Sequence, residues 1–141
     1  MLDTKFYVVK LCKKYKTRNI YEIIDNMGII IHHINLGKNT RGMCYTKHRI
    51  RQIFLHNDLE EWEKHFVIAH ELGHLIMHPE HNAPFLQTTF FSRNRYEIEA
   101  NKFAVELMIP DDIIMEHWDY TIDQWSMLYG LPKEIIELRF N

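Results

Sequence analysis

Residues 62–79 read Trp62-Glu63-Lys64-His65-Phe66-Val67-Ile68-Ala69-His70-Glu71-Leu72-Gly73-His74-Leu75-Ile76-Met77-His78-Pro79. Asp58 can cap a helix that runs through this stretch to about His78, where Pro79 stops it. Trp62, Phe66, Ala69, Gly73 and Ile76 form one apolar stripe, and Ile68, Leu72 and Leu75 form another on the far side. A helix apolar on most of its circumference lies inside a domain. Within it stands His70-Glu71-Leu72-Gly73-His74. Histidines at i and i+4 project from one face, one turn apart, so both imidazoles can reach a single Zn²⁺. Glu71 points about 100° round the helix from His70, where its carboxylate can flank an open coordination position and take a proton from water. Two imidazoles and a carboxylate inside a buried helix would be costly without such a purpose.

A catalytic zinc needs a third protein ligand. The extended pattern H-E-x-x-H-x-x-G-x-x-H would put Gly at 77 and His at 80, where the chain has Met77 and Glu80, so that class is excluded. His78 lies eight residues from His70, a rise of about 12 Å, and reads as a cation at the helix C-terminus. Residues 79–94, with Pro79 and Pro84, read as a long loop. A helix then spans about Arg95 to Met108. On its wheel Glu99, Lys102 and Glu106 fall together as a polar solvent stripe, whereas Glu97 and Asn101 lie in the middle of an apolar arc. A carboxylate and an amide turned to the core need a reason. Glu97 as third zinc ligand, with Asn101 holding a ligand imidazole from behind, supplies one. The competing role for Glu97 is a capping box with Asn94, which leaves the inward Asn101 unexplained.

These residues resemble the ImmA/IrrE family of metallopeptidases, small bacterial and phage-borne zinc proteins. The resemblance rests on His70 to Pro79, on Glu97-Ile98-Glu99-Ala100-Asn101-Lys102-Phe103-Ala104 and on Leu107-Met108-Ile109-Pro110. It implies a zincin-like α+β domain with His70 and His74 as ligands, Glu71 as general base and Glu97 as third ligand, in agreement with the wheel. It also implies a protein substrate or partner of the helix-turn-helix repressor type, encoded nearby in a phage or mobile element.

The rest of the chain is consistent with one domain over residues 1–141. Of 141 residues, 46% are apolar and 13% aromatic, enough for a core and too many for disorder. A helix over Lys5–Lys16 shows a basic face. A second follows, with Asn19 and Glu22 as a capping box and Gly28 as its end. Short β-rich runs at 29–34, 43–45 and 50–56, broken by turn residues, predict a small, largely antiparallel sheet packed on the metal-binding helix. Short helices close the chain, one behind Thr121 and Gln124, one from Pro132 to Arg139, and Trp118, Trp125, Met127 and Tyr129 read as core. Tyr96, His78 and His81 are the available candidates for an oxyanion donor, and none is singled out.

Charge is uneven. Residues 1–57 carry 11 Lys/Arg against 3 Asp/Glu, and residues 58–141 carry 6 against 16. Net charge is −2, so a polyanion is not attracted by charge alone. Residues 125–132 resemble the turn of a helix-turn-helix, but the helix after it balances Lys133 and Arg139 with Glu134 and Glu137 among Ile and Leu, which argues against direct nucleic-acid binding. A zinc protein that binds a repressor or toxin with little proteolysis is the other reading. Cys12 and Cys44 form no paired motif, and no signal-peptide or membrane-spanning pattern is present, so the expected setting is the cytoplasm.

Overall fold

The computed structural model describes residues 1–80 and 94–141, so nearly all of the long loop expected over 79–94, with His81, lies outside the described residues. Helix α1 (Thr4–Tyr15) starts where the Asp3 side chain accepts from the Phe6 N–H. Helix α2 (Ile20–Met27) is capped by Asn19, which accepts from the Tyr21 and Glu22 N–H groups, and it ends at Gly28 with φ +69°. The return half of the expected capping box is replaced, because the Asn19 N–H is donated to the Thr17 hydroxyl.

Strands β1 (Ile30–Ile34), β2 (Gly42–Lys47) and β3 (Ile50–His56) form the small sheet in the order β1-β3-β2. β2 and β3 are an antiparallel hairpin turned at His48 and Arg49, both in the left-handed region. β1 joins β3 in parallel, so the antiparallel pairing expected for the sheet holds on one side of β3. Ile53 and Leu55 are fully buried, and helix α3 (Glu61–Met77) packs against β2 and β3. α3 starts later than Asp58. The Asp58 N–H bonds to His56 Nδ1 and the Leu59 N–H to the His56 carbonyl, which turns the chain before the helix can begin. From Phe66 to His74 every α3 residue is buried, as its apolar circumference predicts.

Helix α4 (Arg95–Met108) lies against α3, and it is also covered by α1 and by the last helix, α7 (Lys133–Phe140). Two expectations fail for this reason. Glu99 and Glu106, assigned to a solvent stripe, are both buried, since a wheel identifies a polar side but not the elements that will cover it. Glu106 finds Arg139 of α7 at 3.7 Å, while Arg139 Nε donates to the Ile109 carbonyl and Arg18 to the Glu106 and Leu107 carbonyls, satisfying the end of α4.

Helices α5 (Asp111–Glu116) and α6 (Ile122–Tyr129) precede α7, and α6 carries the expected Thr121/Gln124 capping box. Trp125 is buried as expected, but Trp118 and Met127 are 81% and 85% exposed. Trp118 sits in the turn after α5, and Met127, two residues from Trp125, points to the opposite side of α6. Ile135 and Ile136 of α7 are buried. No helix among the described residues is long and apolar enough to cross a membrane.

Gly73 sets how closely α3 and α4 approach. A Cβ there would lie 3.0–3.1 Å from Phe103 side-chain carbons. Gly73→Val therefore overpacks the contact and is expected to destabilise the protein by about 1–3 kcal/mol in urea unfolding. Unchanged stability would show that the two helices do not meet there.

Candidate metal centre

The i, i+4 spacing on α3 puts the His70 and His74 rings 4.8 Å apart, centroid to centroid, at 80° to one another. Helix α4 brings Glu97 against both. One carboxylate oxygen is 3.1 Å from His70 Nε2 and the other 2.9 Å from His74 Nε2. Each of the three residues offers one atom within 4.8 Å of the other two, and all three are buried. Asn94 caps α4 by accepting from the Tyr96 N–H, and the Glu97 carboxylate is turned away from that end toward the histidines. Asn101, one turn along α4, meets the other nitrogen of His70: its Oδ1 is 2.7 Å from Nδ1.

The arrangement suits a cation. Tetrahedral zinc with ligands at about 2.0–2.1 Å holds its donor atoms roughly 3.3 Å apart, close to the 3.1 and 2.9 Å that separate the Glu97 carboxylate from the two rings. Among the described residues His74 Nε2 is buried and makes no hydrogen bond, although Glu97 Oε1 lies 2.9 Å away. A buried polar atom without a hydrogen bond is costly unless something else fills its need, and a shared ion would.

Burial by itself would raise the pKa of Glu97, but the two imidazoles against it outweigh burial and hold it at about 2. Burial would lower that of His70, and the Glu97 and Glu71 carboxylates, with the Asn101 amide, outweigh it and push it up.

Glu71 is buried and flanked by two residues the sequence did not single out. The Cys44 thiol on β2 hydrogen-bonds to it, and burial first, then the charge and hydrogen bonding of Glu71, push this thiol well above the ordinary cysteine range. Cys44 is therefore a protonated donor to Glu71 and not a nucleophile. Gly42 opens β2 at the same place: a Cβ there would run into Val67 Cγ1 and lie 3.5 Å from Glu71 Cγ. A cysteine and a glycine in a strand announce neither role.

His78, expected as a cation at the helix end, is the C-cap residue of α3 but is buried, with Nδ1 3.0 Å from His74 Nδ1 and Nε2 3.2 Å from Glu99 Oε1. Its i+4 relation to His74 could have been read from the sequence. The burial of Glu99, which completes the set, could not. Tyr96 packs its ring edge-on to His78, centroids 4.9 Å apart.

Comparison with known proteins agrees with this geometry. The family model described as "IrrE N-terminal-like domain", Peptidase_M78, matches residues 24–141. A Bacillus phage phi105 protein named "Uncharacterized immunity region protein 2" is 38% identical over 138 residues, covering 96% of this chain and 87% of that protein. "Metallopeptidase ImmA" of Bacillus subtilis (strain 168) is 30% identical over 138 residues, covering 97% of this chain and 77% of its own length. A family match over most of the chain, a metallopeptidase relative and a buried His-His-Glu cluster point the same way, and the chain belongs to the ImmA/IrrE family, Peptidase_M78.

Proposed function

We propose that the protein is a zinc-dependent endopeptidase that cleaves a helix-turn-helix type repressor of a phage or mobile element. The observation that carries the reading is the convergence of His70, His74 and Glu97 within 4.8 Å beside a buried Glu71. His70 Nε2, His74 Nε2 and one Glu97 oxygen would hold the ion, with Asn101 fixing the His70 ring. A bound Zn²⁺ would supply Lewis-acid polarisation of the scissile carbonyl and acidification of water.

The chain's own residues do the rest. Glu71 accepts a proton from the attacking water and delivers it to the leaving amine. The Cys44 thiol, by donating to Glu71, holds that carboxylate in one orientation while it waits. Among the described residues β2 is the outer strand of the sheet, and its Gly42 lies against Glu71, which sets this strand beside the base. The repressor as substrate is supported by the resemblance to the family and by the name of the phage relative, which places that protein in an immunity region.

The test is incubation of the zinc-loaded protein with the repressor encoded beside it. Wild type is expected to cut the repressor, and Glu71→Gln to lose about 10²–10⁴-fold in rate while still binding zinc. Equal binding of the repressor by both, with no cutting by either, would replace this reading with that of a zinc-containing binding partner.

Ligand protonation gives an independent check. In the metal-free protein Glu97, held at about 2 against an ordinary 4.5, adds stability above pH 4.5 that is lost as pH falls toward 2. His70, raised above 6.5, adds stability that is complete below 6.5 and lost as pH rises through its folded value. Metal-free protein is thus expected to be most stable between these limits and to weaken on the alkaline side. Zinc competes with protons for the same nitrogens, so the stabilisation it confers should grow with pH over that range. Unfolding at pH 5 to 8, with chelator and with zinc, measures both slopes. A zinc effect independent of pH would contradict imidazole ligation.

A further inference from the structure

We propose that His78 and Glu99 are positioning residues that fix the ring of His74 and determine which of its nitrogens faces the ion. The inference rests on the metal reading above and adds to it.

α4 embraces the histidine row of α3 from two sides. Glu97 lies against the ligand nitrogens, and Glu99, two residues on, reaches His78 behind them. The groups form a chain: His74 Nδ1 to His78 Nδ1 at 3.0 Å, His78 Nε2 to Glu99 Oε1 at 3.2 Å, and the Leu2 backbone N–H donated to Glu99 Oε2. His74, His78 and Glu99 are all buried.

A carboxylate at the end of the chain dictates its direction. The Leu2 N–H is donated to one Glu99 oxygen, and the other oxygen accepts from His78, so the hydrogen of the His78 ring sits on Nε2. A neutral imidazole then has its lone pair on Nδ1, and His74 must donate to it from its own Nδ1. That leaves the lone pair of His74 on Nε2, the nitrogen on the side of the site. His70 reaches the same state by another route, since Nδ1–H donates to the Asn101 carbonyl oxygen at 2.7 Å. Both imidazoles are thus set as Nε2 ligands, one by an amide and one by a histidine–carboxylate pair. The Leu2 N–H holds the far oxygen of Glu99, which ties the first residues of the chain to the ordering of the metal site.

Ring nitrogens in the zinc-loaded wild type can be read by long-range ¹H–¹⁵N NMR. The expected result is His70 and His74 with hydrogen on Nδ1, and His78 with hydrogen on Nε2 and none on Nδ1. A His78 protonated on Nδ1, or on both nitrogens, overturns the relay. Chelator competition supplies the second readout. His78→Ala and Glu99→Gln are expected to weaken zinc binding about 10- to 100-fold and to shift the visible spectrum of the cobalt(II)-substituted protein. Glu106→Gln, which alters a buried carboxylate on the same helix that pairs with Arg139, should change neither. Unchanged zinc affinity in folded His78→Ala overturns the proposal, and if that variant does not fold, the wild-type ring spectrum decides. A wild type that takes up no zinc sinks the metal reading itself. A wild type that binds zinc tightly, with His78→Ala unaffected, sinks only the relay.

Discussion

The carboxylate of Glu97 stands between the Nε2 atoms of His70 and His74, joining α4 to α3 through buried ionisable groups. Charge taken out of water is tolerated only when it is paired or bound to metal, and several kcal/mol per ion is the usual penalty otherwise. The packing around the site follows from that constraint. Gly73 lets Phe103 of α4 come close to α3, so Glu97 can reach the histidines. Asn101 and His78 occupy the nitrogens that face away from Glu97, and Cys44 and Gly42 bring β2 to Glu71.

Seen this way, α4 is a helix with two acidic tasks. Glu97 serves the Nε2 side of the histidine row and Glu99 the rear, while the Leu2 N–H and Arg139 hold the carboxylates of Glu99 and Glu106 that α1 and α7 cover. The N- and C-terminal helices are therefore part of what makes a buried acidic helix affordable, and not a wrapping added to a finished core.

Much of this was legible in the sequence, because spacing and periodicity report local geometry directly. The i, i+4 histidines, the inward Glu97 and Asn101, and the boundaries of α2, α4 and α6 all follow from helical repeat and capping chemistry. What escaped depended on contacts between elements distant in sequence. Glu99 and Glu106 read as solvent-facing until α1 and α7 are packed over them. The parallel entry of β1, the thiol of Cys44 against Glu71, and the exposed Trp118 and Met127 likewise depend on how elements meet.

The most direct test is anomalous diffraction at the zinc edge from crystals grown with zinc. The account predicts one ion per chain, bonded to His70 Nε2, His74 Nε2 and a Glu97 oxygen at about 2.0–2.2 Å, with Glu71 beside it and not bonded to it. An ion ligated elsewhere, or a histidine pair that excludes zinc while Glu97 keeps its place between the rings, would contradict it.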